Sequence, residues 1–106
     1  MKRKMTENVI YSDKDYIVLG VLGYLDEIKR WEVTAVEILE YIKEVFSTTD
    51  MDEVECFTIL GQLAKDNLVD VEKQYNIPLY TITTDGYSEM FENPDFYFKI
   101  TEFYKE

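Results

Sequence analysis

The sequence predicts a mainly α chain carrying one small β-hairpin, an α+β class. Three observations point there. Ser12-Asp13-Lys14-Asp15 and Thr34-Ala35-Val36-Glu37 each set a hydroxyl three residues before a carboxylate that reaches back to it, the signature of a capped helix start. Apolar residues recur at helical spacing behind each start. From Leu68 to Lys73 the period shortens to strand-like alternation, a polar cluster interrupts it, and a second strand-like run follows to Thr83.

In the first helix Ile17, Val21, Tyr24, Leu25 and Ile28 recur on one side. Val18, Leu19 and Leu22 widen that face, so the helix is predicted to be deeply buried. Gly20 and Gly23 cost helix propensity and would let another helix approach closely. Trp31-Glu32-Val33 is extended in character, a short first strand. The second helix places Ala35, Ile38, Leu39, Ile42, Val45 and Phe46 on one face and Glu37, Glu40, Lys43 and Glu44 on the other. Ser47-Thr48-Thr49 ends it.

The third helix is expected from Asp50 or Met51 to about Asp66, with Asp50 and Glu53 as its cap. Its expected core face is Val54, Phe57, Ile59, Leu60, Leu63 and Ala64, and Asn67 suits the left-handed position that follows. Gln74-Tyr75-Asn76 forms the hairpin tip, and Pro78 stands near the start of the returning strand, where a missing N–H is tolerated. A short helix is expected around Tyr87 to Glu92. Pro94 then opens a last helix at its first helical position. The organisation expected is a flexible tail over 1–11, a domain over 12–92 and an aromatic helix over 93–106 that dimerises.

A chain of 106 residues reads as one domain, long enough to bury a core without metal or disulfide. Hydrophobic residues at 46% and aromatics at 15% exclude a disordered acidic tail. No apolar run is long enough to cross a bilayer and no secretory leader is visible, so a cytoplasmic location is expected.

The net charge is −11, from 22 acidic and 11 basic residues with no histidine. Non-specific nucleic-acid affinity comes from cations replacing counterions, so this balance opposes bulk DNA binding. The only dense basic patch, Lys2-Arg3-Lys4, reads as a tail or as a DNA-contacting arm. Cys56 is the only cysteine, which excludes an intrachain disulfide. Beside Phe57 and Ile59 it reads as a small core hydrophobe. Glu53 and Glu55 push a thiol away from the nucleophilic thiolate, and no histidine exists to counter them. There is no Gly-rich phosphate loop and no cysteine cluster for zinc. Asp50, Asp52 and Glu53 lack the spaced oxygens and turn glycine of a calcium loop. No enzymatic activity, cofactor or metal is expected.

The order helix, helix, helix, hairpin, helix resembles the winged-helix regulators of the PadR-like and MarR-like group. The residues carrying the resemblance are Ile59-Leu60-Gly61-Gln62-Leu63-Ala64-Lys65-Asp66-Asn67-Leu68-Val69 at the end of the third helix and Leu79-Tyr80-Thr81-Ile82-Thr83-Thr84-Asp85-Gly86 after the hairpin. Tyr16-Ile17-Val18-Leu19-Gly20-Val21-Leu22 in the first helix, together with a C-terminal helix, favours the PadR-like side. The similarity spans residues 16–92. It implies a third helix that enters the DNA major groove and a hairpin that serves as the wing. The groove-facing positions would include Asp52, Glu53, Glu55, Thr58 and Gln62, and the wing tip Lys73, Gln74, Tyr75 and Asn76. Such regulators want Lys or Arg at several of these positions. Here the leading end carries Asp50, Asp52, Glu53 and Glu55 with no cation.

Two function classes follow. In the first, the acidic face of the third helix (Asp50, Asp52, Glu53, Glu55) binds a basic surface of another protein. The acids would stand in for phosphates, as in a phage or mobile-element inhibitor or antirepressor, and Glu37, Glu40 and Glu44 form a second acidic face. In the second, the chain is a homodimeric DNA-binding regulator. It would dimerise through Phe96, Tyr97, Phe98, Ile100, Phe103 and Tyr104 and contact DNA through Lys2, Arg3, Lys4, Thr58, Gln62, Lys65, Lys73 and Tyr75. Acids at a helix start also have a plain use, since each stabilises the helix dipole by about 0.3–1 kcal/mol.

Overall fold

A computed structural model describes residues 10–105. In chain order the elements are α1 (Asp13–Glu27), α2 (Ala35–Val45), α3 (Glu53–Lys65), β1 (Val69–Gln74), β2 (Ile77–Ile82), α4 (Thr84–Met90) and α5 (Asp95–Phe103). The class is the expected one, mainly helical with a two-stranded antiparallel hairpin.

Both expected capping boxes form. Ser12 and Asp15 exchange hydrogen bonds at the start of α1, and Thr34 and Glu37 do the same at the start of α2. The unbroken run Ile17–Gly23, with Leu25, is buried, so α1 is the central helix. It packs against α2, α3, α4, α5 and β2. Its glycines are where neighbours come close: a Cβ at Gly20 would sit 3.1 Å from the backbone nitrogen of Tyr97, and one at Gly23 would sit 2.5 Å from Met90 Sδ. Gly86 is more constrained still, because a Cβ there would run into the Leu68 carbonyl oxygen.

The third helix departs from expectation in two ways. It begins at Glu53, and its cap is Asp52, whose carboxylate accepts from the Glu55 N–H at 2.8 Å. The physical reason is Met51. That side chain is buried, as is Cys56 on the first turn. These are the two positions of a hydrophobic staple, and together they fix the residue between Met51 and the helix as the cap. The buried stripe is Cys56, Leu60 and Leu63. Cys56 is the core hydrophobe expected of it; with it in the stripe, Val54 and Phe57, expected on the core face, turn away from the core.

β1 and β2 pair in the register Val69↔Ile82, Val71↔Tyr80 and Gln74↔Ile77. The turn is the pair Tyr75-Asn76, both left-handed with φ of 53° and 67°. Two positive φ values are what the right-handed strand twist demands of a two-residue turn. Val33 adds a single antiparallel bridge to Tyr80 on the other edge of β2, so the predicted first strand is reduced to one residue. Asn67 takes the left-handed position after α3, with φ of 65°.

Pro94 stands at the cap of α5 rather than inside its first turn. α5 is part of the same core as α1, since Tyr97 and Ile100 are buried. Among the described residues no polar or charged side chain is buried, and no helix is long and apolar enough to cross a membrane.

Candidate functional site

The leading end of α3 is acidic and exposed, but its acids are not equivalent. Asp52 is committed to the cap. Glu55 pairs with Lys14 Nζ at 2.9 Å, and the same ammonium donates to the Asp50 backbone carbonyl at 2.6 Å. Lys14 therefore ties α1 to the approach of α3. Among the described residues, the carboxylates of Asp50 and Glu53 meet no cation. They are the free acids of this end.

Beyond the acids, α3 shows an outward apolar face. Val54 is 74% exposed and Phe57 51% exposed. Gly61 follows on the same face, and a Cβ built there would meet nothing within 4 Å. Thr58, Gln62 and Lys65 flank this strip and are exposed. Gln62 Nε2 donates to the Asp66 carboxylate at 3.4 Å, a long hydrogen bond on the helix surface.

The hairpin projects Lys73 and Tyr75, the latter 92% exposed. Val71 and Ile77 are exposed nearby. The structure thus puts Thr58, Gln62, Lys65, Lys73 and Tyr75 on the surface, while Lys2, Arg3 and Lys4 lie outside the described residues.

The predicted dimer set divides. Tyr97 and Ile100 face the chain's own core. Phe96 packs edge-on against Phe46 with centroids 5.8 Å apart. Tyr104 stacks on Tyr24 at 5.2 Å and donates its phenol proton to Glu44 at 2.6 Å. Of the residues expected at a dimer interface, Phe103 and Phe98 are the ones left well exposed. The aromatic surplus of α5 goes mostly to closing one core.

A second system was not read from the sequence at all. Tyrosine phenols donate to carboxylates across elements: Tyr16 to Glu89 at 2.7 Å, Tyr87 to Asp26 at 2.6 Å, Tyr11 to Asp66 at 2.8 Å, and Tyr97 to Glu27. Tyr11, assigned to a flexible tail from the sequence, is anchored to α3 this way. Burial first, and the accepting carboxylates second, hold the Tyr16, Tyr87 and Tyr104 phenols well above their ordinary range and push Tyr97 up to about 12. The available signal was nine tyrosines beside an excess of acids that lysine and arginine cannot match.

Near Tyr104 a cleft of ≈ 270 Å³ is lined by Arg30, Glu37, Glu40, Tyr41 and Glu44. Arg30 already spans part of it, donating to Glu37 at 3.1 Å and to the Tyr41 hydroxyl at 3.3 Å. Cys56 is buried, and burial followed by Glu53 and Glu55 pushes its thiol up to about 11. Such a thiol is inert as a nucleophile at neutral pH.

No protein-family model matches the chain, and neither does any curated protein or solved structure.

Proposed function

We propose that this chain is a non-enzymatic regulatory protein of winged-helix type whose α3 leading end binds a basic surface of another protein. The observation that carries the reading is the pair of free carboxylates, Asp50 and Glu53, at the place where such a fold otherwise presents cations. Among the described residues the ammonium that reaches this end, Lys14, is taken up by Glu55 and the Asp50 carbonyl. The winged-helix reading is supported by the order of α1, α2, α3 and the hairpin, and by the Val33–Tyr80 bridge that adds an edge to β2. An acidic face of this kind associates fast with a basic partner and loses affinity with salt. Acids in the place of phosphates suit an inhibitor that occupies the DNA site of a DNA-binding protein.

A second reading, a homodimeric DNA-binding regulator, is favoured by the exposure of Thr58, Gln62, Lys65, Lys73 and Tyr75 on α3 and the hairpin. Titration with mixed-sequence duplex DNA at about 50 mM and about 200 mM salt separates the two. The first reading expects no binding by the native chain at either salt. It also expects salt-sensitive binding to appear in the Asp50→Lys, Glu53→Lys double variant, which leaves the Asp52 cap intact. Saturable binding by the native chain at the lower salt, weakening steeply at the higher, establishes the second reading instead.

A further inference from the structure

We infer that Val54, Phe57 and Gly61 on the outer face of α3 form the contact centre for an apolar-faced helix of a basic partner, with Asp50, Asp52 and Glu53 as its charged rim. The inference rests on the basic-partner reading above and adds the geometry of the contact. Spacings of three and four residues put the three side-chain positions on one helical face. Val54 and Phe57 are exposed, although neither a β-branched nor an aromatic residue favours a solvated helix face. Gly61 is the more telling residue. Inside a helix it costs about 1 kcal/mol relative to alanine. Nothing among the described residues asks for it: its φ is not positive, and a Cβ would meet open space. Gly20, Gly23 and Gly86 each have a neighbour that needs the missing Cβ, and Gly61 has none among the described residues. A missing side chain beside an exposed ring makes a hole next to a knob. That is the surface a second helix needs to approach at the short end of the about 8–10 Å interaxial range.

Charge selects the occupant. A second copy would bring a net −11 against −11. Duplex DNA would bring phosphates against Asp50, Asp52 and Glu53. A helix with apolar residues over Phe57 and Gly61 and cations toward the start of α3 meets both features. Lys65, exposed at the far end of the face, orients it by repelling those cations.

The test uses the full chain, isotopically labelled, with three probes: an amphipathic helical peptide of leucine and lysine, its leucine and glutamate counterpart, and mixed-sequence duplex DNA. The lysine peptide is expected to shift the amides of Val54, Phe57 and Gly61, and the glutamate peptide and the DNA are not. Gly61→Ala is expected to raise the melting temperature and yet weaken the lysine peptide about tenfold, and Phe57→Ala to weaken it at least as much. Opposite signs for folding and binding in one variant are not produced by a structural role alone. If the lysine peptide binds Gly61→Ala and Phe57→Ala as tightly as the native chain but is lost on Asp50→Lys with Glu53→Lys, the contact centre is overturned and the basic-partner reading stands. If it binds nowhere, both fall. Self-association of the free chain that Phe57→Ala abolishes makes the occupant a second copy and overturns the inference.

Discussion

The Tyr87 phenol donates to the Asp26 carboxylate at 2.6 Å and lies 3.1 Å from the Gly23 carbonyl, locking α4 onto the last turn of α1. Asp26 sits where the helix dipole disfavours an acid, and this bond compensates the misplaced charge. Tyr87→Phe keeps the ring and its stacking on Phe91 but leaves the carboxylate without its donor. The expected loss is about 1–2 kcal/mol, read as a lowered urea midpoint at unchanged m-value.

The same bonds set a response to alkali. The fold holds the protons of Tyr16, Tyr87, Tyr97 and Tyr104 above the ordinary phenol value of 10.0. Below pH 10.0 native and unfolded chains are both protonated at these sites and the stabilisation is fully present. Above it the unfolded chain sheds protons that the native chain keeps, so it binds fewer, and stability falls as pH rises. For Tyr97 that window closes at about 12. Urea midpoints taken from about pH 8 to about pH 11 should decline beyond the ordinary tyrosine range, and Tyr97→Phe should flatten the decline.

Local signals were legible in the sequence where they rest on one residue's chemistry. Ser12 with Asp15, Thr34 with Glu37 and Asn67 all behave as their types dictate. The face of α3 was legible only in part: Cys56 reads as a core residue and is one, but Val54 and Phe57 lie at helical spacing from Leu60 and offer a competing apolar face that the sequence pattern alone does not reject. With Cys56 inside, Leu60 and Leu63 complete the stripe and Phe57 leaves it. The α5 aromatics misled in the other direction. Several apolar rings on a short helix suggest a partner, but the absent Cβ of Gly20, far away in sequence, admits Tyr97 and Ile100 into this chain's own core. The phenol–carboxylate bonds join residues as much as 73 positions apart, a pairing that no local period encodes.

The cap of α3 gives a direct contrast between neighbours. Asp52 accepts from the Glu55 N–H, whereas the Asp50 side chain caps nothing. Asp52→Ala should cost about 1 kcal/mol. Asp50→Ala should be neutral within about 0.5 kcal/mol. Chemical denaturation of the two single variants checks this. Equal losses would move the cap back to the residue that the sequence pattern favours.

α5 tests whether its aromatics serve the core or a partner. Ile100 is fully buried and packs where α1 is thinned at Gly20, its Cδ1 lying 3.3 Å from the Cβ position that glycine leaves empty. Ile100→Ala should therefore open a cavity costing about 2–5 kcal/mol. Phe103 is half exposed, and its ring packs edge-on against Tyr104 at 4.9 Å. Phe103→Ser should change the denaturation midpoint far less than Ile100→Ala, because about half of the residue is already in water. The two variants also part in sedimentation. Where α5 joins two chains, Phe103→Ser together with Phe98→Ser shifts the mass toward monomer with the fold intact. Ile100→Ala instead lowers stability at every concentration, because its side chain has no surface to offer a partner.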